Sequence, residues 1–254
     1  MQIVKRRTFS GVVCEQEIYR ITERNPYFKT SEPRLRFKDE AERQHHKDEI
    51  SRRNHARLFN ENFSPTSLYS TLTFDDENEI FTWGEARKVA ELYIRRLKYK
   101  YPDAVIFLYK GRGKSTHRIH FHVVSEGVPK EYIIKQWPYG SVARIDPLRE
   151  HNYYNDVDHG QDYTGLANYL FNHWTPEQGG HRWRMTRNAK RPEREDFKPV
   201  RREYTENKPP RAPKGYKLVE SQATKYGYLY FKYVKEPTKD RRRGRNKQAD
   251  KTSV

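Results

Sequence analysis

Cysteine is almost missing from this sequence, with Cys14 the single one among 254 residues. One cysteine excludes an intramolecular disulfide and a cysteine-based zinc site, and it fits a reducing compartment. Long apolar runs are missing too. No stretch approaches the ~18 apolar residues that a membrane-spanning helix needs, and the opening MQIVKRRTFSG carries no apolar segment behind its charges. Neither secretion nor membrane insertion is expected, and the expected location is the cytoplasm. Apolar residues make up only 34% of the chain, and the mean hydropathy is -1.18. That is low for a compact globule of this length, so part of the chain is expected to be extended or ordered by a partner.

Negative charge is the scarce sign. Asp and Glu total 34 against 51 Lys and Arg, a net charge of +17. Such a field attracts polyanions, and neutralising phosphates releases counterions, so nucleic acid is the leading partner. A basic protein whose charge only keeps it soluble is the plainer alternative. Tyrosine is plentiful, with 19 residues beside 12 Phe and 4 Trp. Its ring offers apolar area that can stack on a base.

Along the chain, residues 4–21 alternate around Gly11 and predict a short strand or hairpin. Residues 25–38 read as a basic loop. Residues 39–60 read as a polar helix whose thin apolar face (Ala41, Ile50, Leu58, Phe59) suits the surface or a ligand. The first core strand is 68–74, with Leu68, Leu72 and Phe74 inward and Tyr69, Thr71 and Thr73 on the other face. Thr82 and Glu85 form a capping box, and Ala86, Val89, Ala90, Tyr93 and Leu97 recur at helical spacing as far as Tyr101. Residues 105–109 and 118–124 flank a glycine-containing turn and read as an antiparallel hairpin. A short helix from Pro129, a strand at 141–145 and a polar loop at 146–162 follow. Residues 164–174 form a second amphipathic helix with Leu166, Leu170 and Trp174 on one stripe. Residues 204–214 look like a proline-rich linker, 227–234 a last strand, and 235–254 a disordered basic tail.

Chemistry concentrates at His120-Phe121-His122. On a strand both imidazoles project from one face while Phe121 enters the core, which makes a ready divalent-metal site. Two unrelated surface histidines are the bland alternative. In GLANYLFNHW, Tyr169 falls on the flank beside the apolar stripe, leaving its hydroxyl free. A packing tyrosine is the corresponding alternative there.

Four segments in order resemble the HUH endonuclease superfamily, in particular the rolling-circle replication initiators of bacterial plasmids and phages. They are RRNHARLFNENFSPTSLYSTLTFDDE, GRGKSTHRIHFHVV, KQWPYGSV, and DYTGLANYLFNHWTPE followed by HRWRMTRNAKRP. The resemblance implies an α+β fold with a central antiparallel sheet of about five strands, helices mainly on one face, a ferredoxin-like plan and basic extensions. The expected organisation is a strand or hairpin and basic helix over 1–60, a nicking domain over 61–200, a linker and strand over 201–234, and the tail over 235–254. His120 and His122 would hold Mg²⁺ or Mn²⁺, with affinity falling below about pH 6.5 as the rings protonate. Tyr169 would attack the scissile phosphate, leaving a 5′-phosphotyrosine and a free 3′-hydroxyl. The implied partners are single-stranded or origin DNA and host replication proteins, in a bacterial cytoplasm. Arg52, Arg53, Arg112, Lys114, Arg118, Arg182, Arg184, Arg187 and Lys190 are the expected DNA contacts.

The sequence departs from the family in two places. A lysine three residues after the nucleophile is replaced by Asn172, with His173 next, and these two are the candidate support residues. A third metal ligand is missing from the strand before the histidines, where FLYKGRGK has no carboxylate, and Asp75, Asp76 or Glu77 are the candidate replacements. These departures keep open a catalytically weak or idle DNA-binding scaffold, and an RNA-binding module is a third reading. Deleting residues 241–254 should weaken binding to all DNA sequences alike and flatten its salt dependence, because these charges can read only phosphate. Salt titrations of the truncated and full chains check this, and a changed sequence preference would contradict it.

Overall fold

The structure is a computed structural model that describes residues 2–21, 38–113, 116–174, 181–224 and 228–236. The expected basic loop at 25–38, except Lys38, the tail beyond Glu236, and Lys114 lie outside the described residues. The chain is α+β, as expected. A central sheet contains β3 (Leu68–Thr73), β4 (Val105–Arg112), β5 (Ile119–Glu126), β6 (Val142–Pro147) and β9 (Trp183–Met185) in the order β6-β3-β5-β4-β9, antiparallel throughout. The five strands match the expected number. The edge strand β9 lies in the densely basic segment HRWRMTRNAKRP, which shows no periodicity in the sequence. It is too short to repeat, yet Trp183 stacks on Phe107 at 5.1 Å.

Alternation along the strands divides the core in two. Ile106, Leu108, Ile119, Phe121, Val123 and Leu72 face α2 (Trp83–Lys100) and α3 (Lys130–Lys135). Phe107, Tyr109 and Val124 face α1 (Glu40–Asn62) and α4 (Thr164–Phe171). The helices are therefore shared between both faces rather than gathered on one. The capping box at α2 forms as expected, with Thr82 accepting from the Glu85 amide at 3.2 Å. No helix among the described residues is long and apolar enough to cross a membrane.

A second sheet joins the two ends of the chain. The hairpin β1 (Gln2–Ser10) and β2 (Val13–Ile21) turns at Gly11, whose φ of 58° suits glycine. The C-terminal β13 (Leu229–Lys235) then pairs with β2, and β12 (Tyr216–Ala223) covers β13. The expected terminal extensions are one structural unit. Two short strands, β10 (Glu193–Arg194) and β11 (Lys198–Pro199), pair with β1. The expected polar loop at 146–162 contains a small hairpin, β7 (Tyr153–Tyr154) with β8 (Val157–Asp158), turning at Asn155 and Asp156, both with positive φ.

Helix α1 is the clearest departure from the sequence reading. Its C-terminal half, from His55 to Asn60, is buried between the two sheets. Polar residues occupy those positions, but each finds a partner. Arg57 pairs with Glu15 and, at 3.2 Å, with Glu17 of β2, and Arg53 pairs with Glu17 at 2.9 Å. Burial opposes ionisation of Glu17, but Arg57 and Arg53 outweigh it and bring its carboxyl down to about 2. Charges taken out of water survive because they are paired.

His55 is fully buried, with Nε2 2.7 Å from the Tyr109 hydroxyl, and burial brings its imidazole down to about 3. The folded protein therefore cannot take up this proton when the unfolded chain does. Stability should fall as pH drops from about 6.5, with His55 accounting for roughly 2 kcal/mol between about pH 6.5 and about pH 5. Urea unfolding across that range tests the account, and the slope should shrink in His55→Gln.

Candidate metal centre and tyrosine helix

The central strand β5 places His120 and His122 on the face covered by α1 and α4. On one side Thr73 and Thr71 of β3 oppose them, and on the other Gly111 and Tyr109 of β4. Gly111 gives His120 its room, because a Cβ there would overlap the imidazole Nε2. Helix α4 crosses this face, and the turn after it brings His173 to the pair. The ligand nitrogens of His120, His122 and His173 all lie within 4.8 Å of one another.

Each ring is oriented by its surroundings. His122 Nδ1 lies 2.8 Å from the Tyr69 hydroxyl and 3.2 Å from that of Thr71, and the Tyr69 ring stacks alongside at 5.8 Å. His173 Nδ1 lies 2.8 Å from the Tyr169 carbonyl and must donate to it. His120 is hydrogen-bonded to the Arg118 backbone. Assigning the proton to Nδ1 in each ring leaves the Nε2 lone pairs as the free donors. Those of His120 and His122 then face each other at 3.2 Å, which is repulsive without a cation or a proton between them. The donor set and its spacing fit a metal ion.

Burial, then the neighbouring His120 and His173, bring the His122 imidazole down to about 3, and burial also lowers His120. The His122 ring therefore stays neutral, as ligation requires, well below the pH of about 6.5 at which protonation is expected from sequence.

Tyr169 stands beside the cluster. Its ring lies 4.3 Å from that of His173 and 6.2 Å from that of His122, and it is 52% exposed. Helix α4 ends at Phe171, short of the expected Trp174, and its buried stripe is Ala167, Leu170 and Phe171 rather than Leu166, Leu170 and Trp174, but Tyr169 still sits on the free flank. Arg144 of β6 lies over the Tyr69 ring at 5.7 Å and acts electrostatically on both Tyr69 and Tyr169.

The other candidates separate. Asn172 is the exposed C-cap of α4 and lies outside the cluster. Asp75 accepts from Asn78, Asp76 pairs with Arg118, and no carboxylate belongs to the cluster among the described residues. Of the expected DNA contacts, Arg53, Arg118, Arg182 and Arg184 are held in ion pairs with Glu17, Asp76 and Glu79, Asp48, and Glu91. Arg112 lies over Trp83 on the α2 side. Arg52, Arg187 and Lys190 are exposed. Sequence reasoning passed over Tyr69, Thr71, Gly111 and Arg144 as site residues. The strand alternation already put Tyr69 and Thr71 on one face, but only the pairing register sets them against His122.

No family model, curated protein or solved structure matches this chain. Titration with Co²⁺, followed by calorimetry and visible absorption, should show one site per chain. His173→Ala and Gly111→Ala should each weaken it by at least about tenfold, the first by removing a ligand and the second by displacing His120. Wild-type affinity in His173→Ala would remove that residue from the ligand set.

Proposed function

We propose that this protein is a metal-dependent nickase and strand transferase for single-stranded DNA, of the rolling-circle initiator type that its sequence resembles. One observation carries the reading. An accessible tyrosine shares a helix end with the third member of a convergent three-histidine cluster. Tyr169 and His173 are four residues apart, so one segment presents both the nucleophile and a ligand to the His120–His122 strand.

A bound divalent cation would supply Lewis-acid polarisation of a phosphoryl oxygen. Tyr169 then forms the new Oη–P bond as its phenolic proton passes to solvent. The P–O3′ bond breaks, and the departing 3′ oxygen takes up a proton. Tyrosine suits the task because its phenolate leaves more readily than an alkoxide, so the phosphodiester can be returned to a 3′-hydroxyl without ATP. Arg144, ion-paired with Asp146 at 2.5 Å, interacts electrostatically with the phenol and would take the part of the family's lysine, which is Asn172 here. Of the two ions expected, Mn²⁺ suits this nitrogen-only set better than Mg²⁺, which is held chiefly by oxygen ligands. The idle-scaffold alternative drew on the missing third ligand, and His173 offers one.

Tyr169→Phe keeps the ring and its packing, so it should fold normally and form no covalent adduct with single-stranded DNA in Mn²⁺. Tyr163 is the nearest competitor in sequence. Its ring is buried, its hydroxyl has no hydrogen-bond partner among the described residues, and burial pushes its phenol well above the usual range. Tyr163→Phe should keep adduct formation. Peptide mapping of the linked fragment decides between them, and an adduct surviving in Tyr169→Phe would mean that another residue is the nucleophile.

A further inference from the structure

A cavity of about 670 Å³ opens between the end of the β1–β2 hairpin, β13 and residues 200–207, away from the histidine cluster. That volume lies in the range of small-molecule sites. Its floor is apolar, from Ile3, Ile18 and Leu229 with the Tyr204 ring, all part of the second sheet's own core. One wall is the ring pair Tyr19–Tyr228, with centroids 5.1 Å apart. Tyr228 is fixed there, because its hydroxyl accepts from Arg53 at 2.8 Å.

The polar lining is unspent. Arg20, Arg201 and Arg202 stand exposed at this cavity with no ion pair among the described residues. Glu203, Glu206 and Asn207 also line it, and their side chains have no partner among the described residues. Flat aromatic surface with guanidinium groups at the mouth suits an unpaired base and its flanking phosphates. Carboxylates at its rim can accept from the exocyclic amines of cytosine, adenine or guanine, and thymine has no exocyclic amine.

This cavity continues toward helix α4. A second cavity, of about 430 Å³, shares Ala223 and Tyr228 with the first and extends to Asn168, the neighbour of Tyr169 on α4. Arg52 lines it and has no partner among the described residues. The two cavities together run from the pocket to helix α4, the helix that carries Tyr169.

We infer that the pocket walled by Tyr19, Tyr204 and Tyr228 holds a base of the single strand being nicked, with preference for cytosine or adenine over thymine. The inference rests on the nickase reading for the identity of that strand. Fluorescence anisotropy in EDTA, with labelled dC, dA and dT strands of about 20 nucleotides, tests it without cleavage. Wild type should bind dC and dA roughly tenfold more tightly than dT, and Tyr204→Ala should weaken dC binding by roughly tenfold. The double change Glu203→Ala and Glu206→Ala, at exposed positions, should narrow the gap between dC and dT. Arg201→Ser with Arg202→Ser should weaken all three strands alike and make the salt dependence shallower.

Unchanged affinity and base preference in these variants would overturn the pocket, as would no measurable binding by wild type. Tenfold tighter binding of rC than dC would assign the pocket to RNA instead, and would equally overturn the inference. The two readings fail separately. Pocket-dependent binding without a covalent adduct would remove nicking and leave the pocket, and an adduct with pocket-independent binding would do the reverse.

Discussion

The buried carboxylate of Asp162 is the interaction on which the rest of the arrangement depends. It has no exposed surface, and it sits where helix α1, helix α4 and the second sheet meet. Its oxygens accept from Asn60 of α1 at 3.3 Å, from Lys232 of β13 at 3.3 Å and from the Thr164 amide at the start of α4 at 2.9 Å. Burial opposes its ionisation, but the hydrogen bonds from His159 and Thr164 and the Lys232 ammonium outweigh it. They hold the carboxyl well below its usual range. An uncompensated charge here would cost several kcal/mol, so the three elements are bound to one geometry.

That geometry is what the site uses. Helix α4 is only eight residues long, too short to be stable by its own propensity. Its start is fixed by Asp162 and by the Tyr154 hydroxyl, which accepts from the Gly165 amide at 2.8 Å. Its buried stripe is fixed by the core, and its end carries Tyr169 and His173. The sheet contributes the other half through hydroxyls that orient His122 and a glycine that makes room for His120. The second sheet thus anchors the helix that carries the proposed nucleophile, because Lys232 belongs to it.

Much of this was legible in the sequence, and the reasons for the gaps are physical. Alternation in RIHFHVV sets both imidazoles on one face, and the stripe of α4 leaves Tyr169 free, because periodicity reports directly on which side chains share a surface. The capping box at Thr82 is local chemistry and is realised as read. Helix α1 misled because its buried residues include, beside Leu58 and Phe59, the polar His55, Arg57 and Asn60, which look solvated until Tyr109, Glu15 and Asp162 are placed beside them. The third imidazole was visible only as the residue after Asn172, since spacing along a chain says nothing about which turn folds back over a strand. The second sheet was hidden for the same reason: its strands come from opposite ends of the sequence, and only tertiary pairing joins them.

The central claim is that this face breaks a DNA strand by keeping its 5′ phosphate on tyrosine. The most direct measurement uses mixed-sequence single-stranded DNA, labelled at either the 3′ or the 5′ end, incubated with the wild-type protein and Mn²⁺ and resolved on a denaturing gel. The account predicts label migrating with the protein only from the 3′-labelled strand, because the downstream fragment is the one retained. Label carried from the 5′ end would contradict the proposed polarity, and label carried from neither would contradict the chemistry itself.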